Sequence, residues 1–225
     1  MDFIIPAKAS SERVPNKNWR EFADGLCLVE LLIEKLIAAG VQTDQIHVSC
    51  ERPDIAELVT YKWGVKVLPR DPALCDNNVA LTTWIRAICD QVPGMGDIAW
   101  CQVCDPLFDE YAECLQQWRE MNSARRQYDS LAVCRPWRGY LMTTDNQPIG
   151  WSFGEHHTPS QQLPRFHTMP FTFSILTRRA ISQTGYHIGR RPLWYEATGP
   201  HVDIDTETDF EMAKQYYQTT RTQFT

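Results

Sequence analysis

Short apolar segments alternate with amphipathic helical patterns along most of the chain. Two parallel strands need a crossover connection, which is usually a helix, so this order predicts a sheet dominated by parallel strands. The expected strands are at 3–6, 46–49, 65–68, 97–102, 130–134, 171–176 and around Trp194. The expected helices are at 27–37, 53–63, 78–92 and 109–121, and two more begin at Thr177 and Thr206.

The composition is that of a single globular domain. The chain has 225 residues, of which 43% are hydrophobic, enough to build a sizeable core. The net charge is −6, and no run of lysine or arginine exceeds two residues, so we expect no nucleic-acid or membrane partner. No apolar run approaches the roughly 20 residues of a membrane span. The N-terminal residues lack the cationic start of a secretory signal, and we expect a cytoplasmic protein.

The eight cysteines are expected to be free thiols, because several lie inside apolar stretches where a thiol behaves as a small hydrophobic group. Cys101 and Cys104 form a C-x-x-C pattern, but a zinc site needs four ligands and no second pair follows. If 99–102 is a central strand, these two thiols do not converge on one metal.

A cationic loop of small residues follows the first strand. Ala9, Ser10 and Ser11 leave room for a phosphate to reach main-chain N–H groups, while Lys8, Arg13 and Lys17 can neutralise a triphosphate. The pattern is neither a Walker A loop nor G-x-G-x-x-G. Taken alone, the segment is equally compatible with a solvated basic loop after an edge strand.

Motifs near both ends of the chain carry a family resemblance. Ile-Pro-Ala at 5–7 leads into S-x-R-x-P-x-K-N at 11–18, and D-I-D-x-x-x-D-F lies at 203–210. Between them, the segments 48–57 and 70–76 also match in order and spacing. The chain resembles the sugar-acid cytidylyltransferases, which are the CMP-sialic acid and CMP-Kdo synthetases, over most of its length.

The resemblance implies an α/β fold: a Rossmann-like three-layer α/β/α nucleotidyltransferase domain with a mixed, mostly parallel sheet. Residues 1–225 would form this single domain, with an inserted arm at about 136–170. That stretch is rich in Trp, Pro and Gln, and 145–148 reads as a turn. In the sialic-acid branch the corresponding region builds a homodimer, so a homodimer is expected here. The sequence of the arm itself shows only irregularity.

The implied reaction is attack of a sugar-acid hydroxyl on the α-phosphate of CTP, with release of pyrophosphate and with Mg²⁺ as cofactor. Asp203 and Asp205 are the expected metal ligands, because residues two apart on a strand lie on one face. A solvated strand end is the alternative for this pair. Asp209 follows Thr206 in a T-x-x-D pattern that is typical of a helix cap.

The resemblance assigns further residues to catalysis and to CTP. Lys17, Gln102 and Asp203 are the expected catalytic residues. Arg70 and the loop after it would surround the base, although pairing of Arg70 with Asp71 or Asp76 is equally compatible with the sequence. The full set expected to bind CTP is Lys8, Ala9, Ser10, Ser11, Arg13, Asn18, Arg70, Leu74 and Asp76.

The acceptor would contact Gln102, Asp105, Gln162 and Arg165. Gln102 ends a strand at the carboxyl edge of the sheet, where open α/β sheets present ligand-binding groups. For Asp105, magnesium binding and capping of the next element are about equally favoured. For Arg165, an ordinary surface position is the commoner explanation.

Several positions depart from the family pattern. Lys8 stands in place of an arginine, Glu12 in place of a lysine, and 169–173 in place of the N-G-x-x-Y segment that shapes the sialic-acid pocket. The main expectation is a cytidylyltransferase acting on a sialic-acid-like or Kdo-like sugar. The alternatives are a nucleotidyltransferase for a phosphonate or another small anionic acceptor, and a catalytically weak nucleotide-binding relative.

Overall fold

The computed structural model describes residues 1–11, 13–76, 78–122 and 127–222. The strands are β1 (Asp2–Pro6), β2 (Glu21–Ala23), β3 (Leu26–Cys27), β4 (Ile46–Cys50), β5 (Lys66–Pro69), β6 (Ile98–Cys101), β7 (Ser130–Trp137), β8 (Phe166–Thr168), β9 (Phe173–Leu176) and β10 (Pro192–Glu196). The helices are α1 (Leu28–Ala38), α2 (Pro53–Trp63), α3 (Leu81–Cys89), α4 (Tyr111–Asn122), α5 (Arg178–Thr184) and α6 (Glu207–Thr222).

The main sheet runs in the order β10-β7-β9-β6-β1-β4-β5, with β8 paired to β7 beside this path. Strands β6, β1, β4 and β5 are parallel neighbours, and β10 is parallel to β7. Strand β9 is antiparallel to both β6 and β7. The expected mixed, mostly parallel sheet is therefore confirmed, and β1 lies in its interior with the loop after it at the carboxyl edge.

Alternate residues of the central strands enter two separate buried clusters. Phe3 and Ile5 of β1 share one cluster with residues of α1, α4 and α6. Ile4 shares the other with residues of α3 and α5. Since both faces of the sheet are covered by helices, the chain is a three-layer α/β/α domain, as expected. No described helix is long and apolar enough to span a bilayer.

Helix α3 is shorter than the expected 78–92. At its start, the carboxylate of Asp76 accepts hydrogen bonds from the backbone and side-chain amides of Asn78, which forms a turn before the helix. At its end, the N–H groups of Gln91 and Val92 bond to carbonyls only three residues back. A side chain thus competes with helix geometry at the first boundary, and backbone bonds of the tighter 3₁₀ type replace it at the second.

The expected arm at about 136–170 contains little regular structure. Strand β7 runs on to Trp137 and pairs with the short β8, and Met142 forms an isolated bridge with Pro148. An aromatic cluster fills the intervening loop, where the ring of Tyr140 lies 4.9 Å from that of Trp151.

His187 is buried among aromatic rings, with ring centroids 4.2 Å from Tyr186, 5.3 Å from Phe171 and 6.4 Å from Trp100. Burial lowers the pKa of His187 to about 4, below the ~6.5 of an exposed histidine. As pH falls below ~6.5, the unfolded chain therefore takes up this proton before the folded chain does, and folding loses stability until pH reaches about 4.

We predict that acidification from pH 7 to pH 5 lowers the free energy of unfolding by about 2 kcal/mol through the titration of His187. Urea denaturation at both pH values should show that loss in the wild type and a correspondingly smaller one in His187→Leu. The control His156→Leu removes an exposed histidine and should keep the wild-type dependence. Equal pH dependence in the wild type and His187→Leu would contradict the prediction.

Candidate functional site

A cleft of about 640 Å³ opens at the carboxyl edge of the sheet, beside the ends of β1 and β6. The loop after β1 forms one wall, residues 70–76 and 79–84 form another, and 102–104 form the floor. Most residues expected to bind the nucleotide or catalyse the reaction converge there: Lys8, Ser11, Arg13, Lys17, Asn18, Arg70, Leu74, Asp76 and Gln102 all line the cleft. Asp203 and Asp205 are not among the lining residues.

The loop after β1 is held by hydrogen bonds to its own backbone. The Asn18 amide and the Trp19 indole both donate to the Lys8 carbonyl, at 2.9 and 3.3 Å. Asn18 is buried, and its Oδ1 atom has no hydrogen-bond partner among the described residues. A buried acceptor at the cleft wall is available to a donor on a ligand. Glu12, one of the departures from the family pattern, lies outside the described residues.

The N–H groups of Ala9 and Ser10 do not face the cleft as expected. Both donate to Oε1 of Glu51, at 2.9 and 3.1 Å, and the Ser10 hydroxyl donates to the same atom at 3.2 Å. Because an internal carboxylate occupies these donors, the expectation that they bind phosphate is corrected. The remaining groups of this wall that face the cleft are Lys8, Ser11, Arg13 and Lys17.

Arg70 is buried in the opposite wall. Its guanidinium donates to the hydroxyl and carbonyl of Ser49, at 3.4 and 3.3 Å, and lies 5.3 Å from the ring centroid of Trp84. The possible pairing with Asp71 or Asp76 is not seen, because Asp71 caps the turn at Pro72–Cys75 and Asp76 accepts from Asn78. A buried cation without a carboxylate within 4 Å among the described residues favours an anionic or carbonyl ligand.

Asp203 and Asp205 lie on an extended segment that pairs with no strand, so the expected strand here is wrong. The segment is anchored instead by Ile204, which is fully buried and whose N–H donates to the Cys104 carbonyl at 2.9 Å. Residues on either side of a buried residue in an extended chain point the other way. The accessibility of Asp203 and Asp205 on either side of the buried Ile204 agrees with both carboxylates lying on one face.

Cations of the first wall reach across to this acidic segment. Lys17 Nζ donates to the Ile204 carbonyl at 2.6 Å, and Arg13 forms an ion pair with Asp205 at 2.8 Å. Burial raises the pKa of Asp203, and the like charge of Asp205 adds to this effect. The Cys104 thiol is hydrogen-bonded to Asp203 and stays protonated, since burial raises its pKa well above the usual range.

Asp209 has the capping role that its pattern predicted. Its Oδ2 accepts from the N–H groups of Asp205 and Thr206, at 3.1 and 2.7 Å, and the Thr206 hydroxyl accepts from the Asp209 N–H at 3.2 Å. These reciprocal bonds define the start of α6 and fix the residue that follows Ile204.

The residues present fit a divalent cation that is shared with a phosphate ligand. Asp203 and Asp205 offer carboxylate oxygens, and a cation would offset both the burial and the repulsion by Asp205 that raise the Asp203 pKa. No group of three His, Cys, Asp or Glu side chains within the described ranges could hold a metal alone. Mg²⁺ is commonly bound by one or two carboxylates together with substrate phosphates.

The Asp105 carboxylate is completely buried and takes neither of its two expected roles. Its Oδ2 accepts from the Thr172 hydroxyl at 2.9 Å and from His201 Nδ1 at 2.8 Å, and it lies 3.6 Å from Arg135 Nη2. The Val202 N–H donates to its other oxygen at 3.4 Å. Asp105 thus holds the segment before Asp203 in place and does not face the cleft.

Gln162 and Arg165, the other expected acceptor contacts, are exposed on the arm and do not line this cleft. Glu51 and Trp84 were not expected at this site. Glu51 directly follows β4, so the rule that ligand-binding groups lie at the carboxyl edge could have pointed to it. The eight cysteines are free thiols; Cys101 is buried in β6, whereas Cys104 lines the cleft.

Comparison with known sequences finds similarity to cytidylyltransferases. A sequence model of the cytidylyltransferase family matches residues 3–91. The pseudaminic acid cytidylyltransferase of Campylobacter jejuni subsp. jejuni serotype O:2 is 24% identical over 241 residues, covering 96% of this chain and 95% of that protein. The same enzyme from serotype O:23/36 is 25% identical over the same coverage.

Solved structures share the fold. A CMP:2-keto-3-deoxy-manno-octonic acid synthetase complexed with CTP has a TM-score of 0.65 at 16% identity, covering 97% of this chain and 98% of that chain. The 4-diphosphocytidyl-2C-methyl-D-erythritol synthase of Anaerococcus prevotii has a TM-score of 0.63 at 9% identity, covering 96% of both chains.

We predict that Asp105→Asn lowers the free energy of unfolding by about 3 kcal/mol, because it leaves Arg135 without its buried counter-charge. Urea denaturation should show this loss, whereas the control Asp44→Asn, at an exposed position, should stay within about 0.5 kcal/mol of the wild type. If both variants were as stable as the wild type, the buried network would not hold the segment.

Proposed function

We propose that the chain, whose residues 3–91 match a model of the cytidylyltransferase family, transfers CMP from CTP to a hydroxyl of an acidic sugar. The hydroxyl oxygen forms a bond to the α-phosphorus, the bond to the bridging β-phosphate oxygen breaks, and pyrophosphate leaves while the hydroxyl loses its proton. The observation that carries this proposal is the convergence of three cationic side chains and two carboxylates at one edge of the sheet.

The acceptor that we propose is a sialic-type acid of the pseudaminic kind. The proposal rests on the two pseudaminic acid cytidylyltransferases of Campylobacter jejuni, which align along nearly the whole chain. A Kdo-type acid is the second candidate, and the shared fold of the CMP-Kdo synthetase supports it less specifically.

In this proposal CTP lies across the cleft between the two walls. Arg70, Leu74 and Asp76 meet the base, and the unpartnered Oδ1 of Asn18 accepts a hydrogen bond from the nucleoside. Lys8, Ser11, Arg13 and Lys17, described above as facing the cleft, neutralise the triphosphate. Positioning and charge neutralisation supply most of the catalysis in phosphoryl transfer.

We assign the metal site to Asp203 and Asp205. Mg²⁺ bound there would neutralise charge on the reacting phosphates and help to orient them. Lys17 is already fixed at the Ile204 carbonyl, between these two residues, so its ammonium adds a positive charge close to the metal position. Gln102 follows β6 on the cleft floor, where its amide can orient the acceptor.

We further propose that the arm mediates a homodimer. Tyr140, Met142, Ile149 and Phe153 are all exposed on it in the single chain. An exposed apolar surface of this kind is typical of a protein interface. In a dimer, Gln162 and Arg165 would be available to the acceptor bound at the neighbouring cleft, which agrees with their absence from the cleft of their own chain.

The direct test is pyrophosphate release by the purified protein with Mg²⁺, each of the four nucleoside triphosphates, and a panel of acceptors. We expect release with CTP and a pseudaminic or sialic-type acid, and little with ATP, GTP or UTP. Turnover only with a phosphonate or another small anion would replace the acceptor proposal. Titration calorimetry with CTP and Mg²⁺ is the companion measurement, and absence of binding would refute the nucleotide site.

We predict that Asp203→Asn lowers kcat at least 100-fold, because it removes a carboxylate charge from the metal position. Asparagine has nearly the same shape as aspartate, so the thermal unfolding midpoint should change by no more than a few degrees. The matched control Asp44→Asn removes the same charge at an exposed site and should retain full activity. Unchanged turnover in Asp203→Asn would exclude it as a metal ligand.

A further inference from the structure

Glu51 contacts both walls of the cleft. It directly follows β4, which lies between β1 and β5 in the sheet. On one side its Oε1 accepts hydrogen bonds from the N–H groups of Ala9 and Ser10, as described above. On the other side its carboxylate is close enough to the Cys75 thiol to raise the pKa of that thiol, in addition to the larger effect of burial.

The strand ladders stop where the Glu51 contacts begin. The last backbone bond between β1 and β4 joins the Ala7 N–H to the Ser49 carbonyl at 2.9 Å. The last between β4 and β5 joins the Arg70 N–H to the Cys50 carbonyl at 2.9 Å. Beyond these points the described contacts between the walls involve side chains, among them Glu51 and the 3.4 Å bond from Lys8 Nζ to the Cys75 carbonyl.

The Glu51 bonds lie outside the cleft. The described residues that line the cleft include Lys8, Ser11 and Arg13 but not Ala9, Ser10 or Glu51. A ligand in the cleft therefore leaves these bonds in place. Burial opposes ionisation of Glu51, but the hydrogen bonds from its own backbone and from Ser10 and Ala9 outweigh burial and lower its pKa. The carboxylate is thus charged at neutral pH, when its hydrogen bonds are strongest.

We propose that Glu51 is a positioning residue, which holds the loop after β1 from outside the cleft and so places Lys8, Ser11 and Arg13 around the triphosphate. The proposal rests on the proposed function for the identity of the ligand. Its first part, that Glu51 orders the loop, concerns the free protein and is independent of CTP.

The first measurement is amide hydrogen exchange of the free protein, followed by mass spectrometry of peptides that cover residues 8–11. Glu51→Ala should increase exchange there on the order of tenfold, because it removes a charged acceptor from two N–H groups. Glu51→Gln keeps an acceptor oxygen and should show a smaller increase. Glu57→Ala removes an exposed charge from the adjacent helix and should exchange as the wild type does.

The second measurement is CTP binding with Mg²⁺ by calorimetry, together with KM and kcat. We expect the Kd and KM for CTP to rise on the order of tenfold in Glu51→Ala, to rise less in Glu51→Gln, and to stay unchanged in Glu57→Ala. If Glu51 had only a structural role, Glu51→Ala would lower the thermal unfolding midpoint but leave the CTP affinity of the folded protein unchanged.

The outcomes separate the two proposals. If amide exchange of residues 8–11 were unchanged in both Glu51 variants, the positioning role would be overturned. It would also be overturned if exchange increased while the affinity for CTP stayed the same. If the wild type bound no CTP, the proposed function would fail, and faster loop exchange in Glu51→Ala would still support the loop-holding role. Should Glu51→Ala not fold, the near-isosteric Glu51→Gln carries the same comparisons.

Discussion

The geometry of the site depends on one buried carboxylate. Asp105 has no access to solvent, and a buried charge is tolerated only when it is paired and hydrogen-bonded. Its partners come from three separate parts of the chain: Arg135 on β7, Thr172 before β9, and His201 in the C-terminal segment. Satisfying this single charge therefore draws the acidic segment against the sheet and determines where Asp203 lies.

A second carboxylate strengthens the same attachment. Glu110, just before α4, accepts hydrogen bonds from the N–H groups of Thr198 and Gly199 at 2.9 and 2.8 Å, and from the Tyr195 hydroxyl at 2.7 Å. Arg135 donates to the Gly199 carbonyl at 2.6 Å. Because charged groups fix both ends of the short stretch before Asp203, the acidic segment is ordered without belonging to the sheet.

Most of the fold could be predicted from the sequence because hydrophobic periodicity and helix boundaries are local signals. Gly64 illustrates this: it ends α2 in the left-handed conformation with φ 70°, as a glycine at that place predicts. The side chains that line the cleft were predictable where a motif identified them. The roles of Asp105 and Glu51 were not, because each depends on partners 30 or more residues away whose proximity only the folded chain creates.

The negative charge of the whole chain does not oppose a triphosphate ligand at this site. At physiological salt the Debye length is about 8 Å, so most of the acidic surface is screened from the cleft. The charges that matter are those at its walls. There, Asp205 is already paired with Arg13, while the buried guanidinium of Arg70 has no carboxylate within 4 Å among the described residues. The described part of the lining holds four cations, Lys8, Arg13, Lys17 and Arg70, against the single carboxylate of Asp76, so the local field favours an anion.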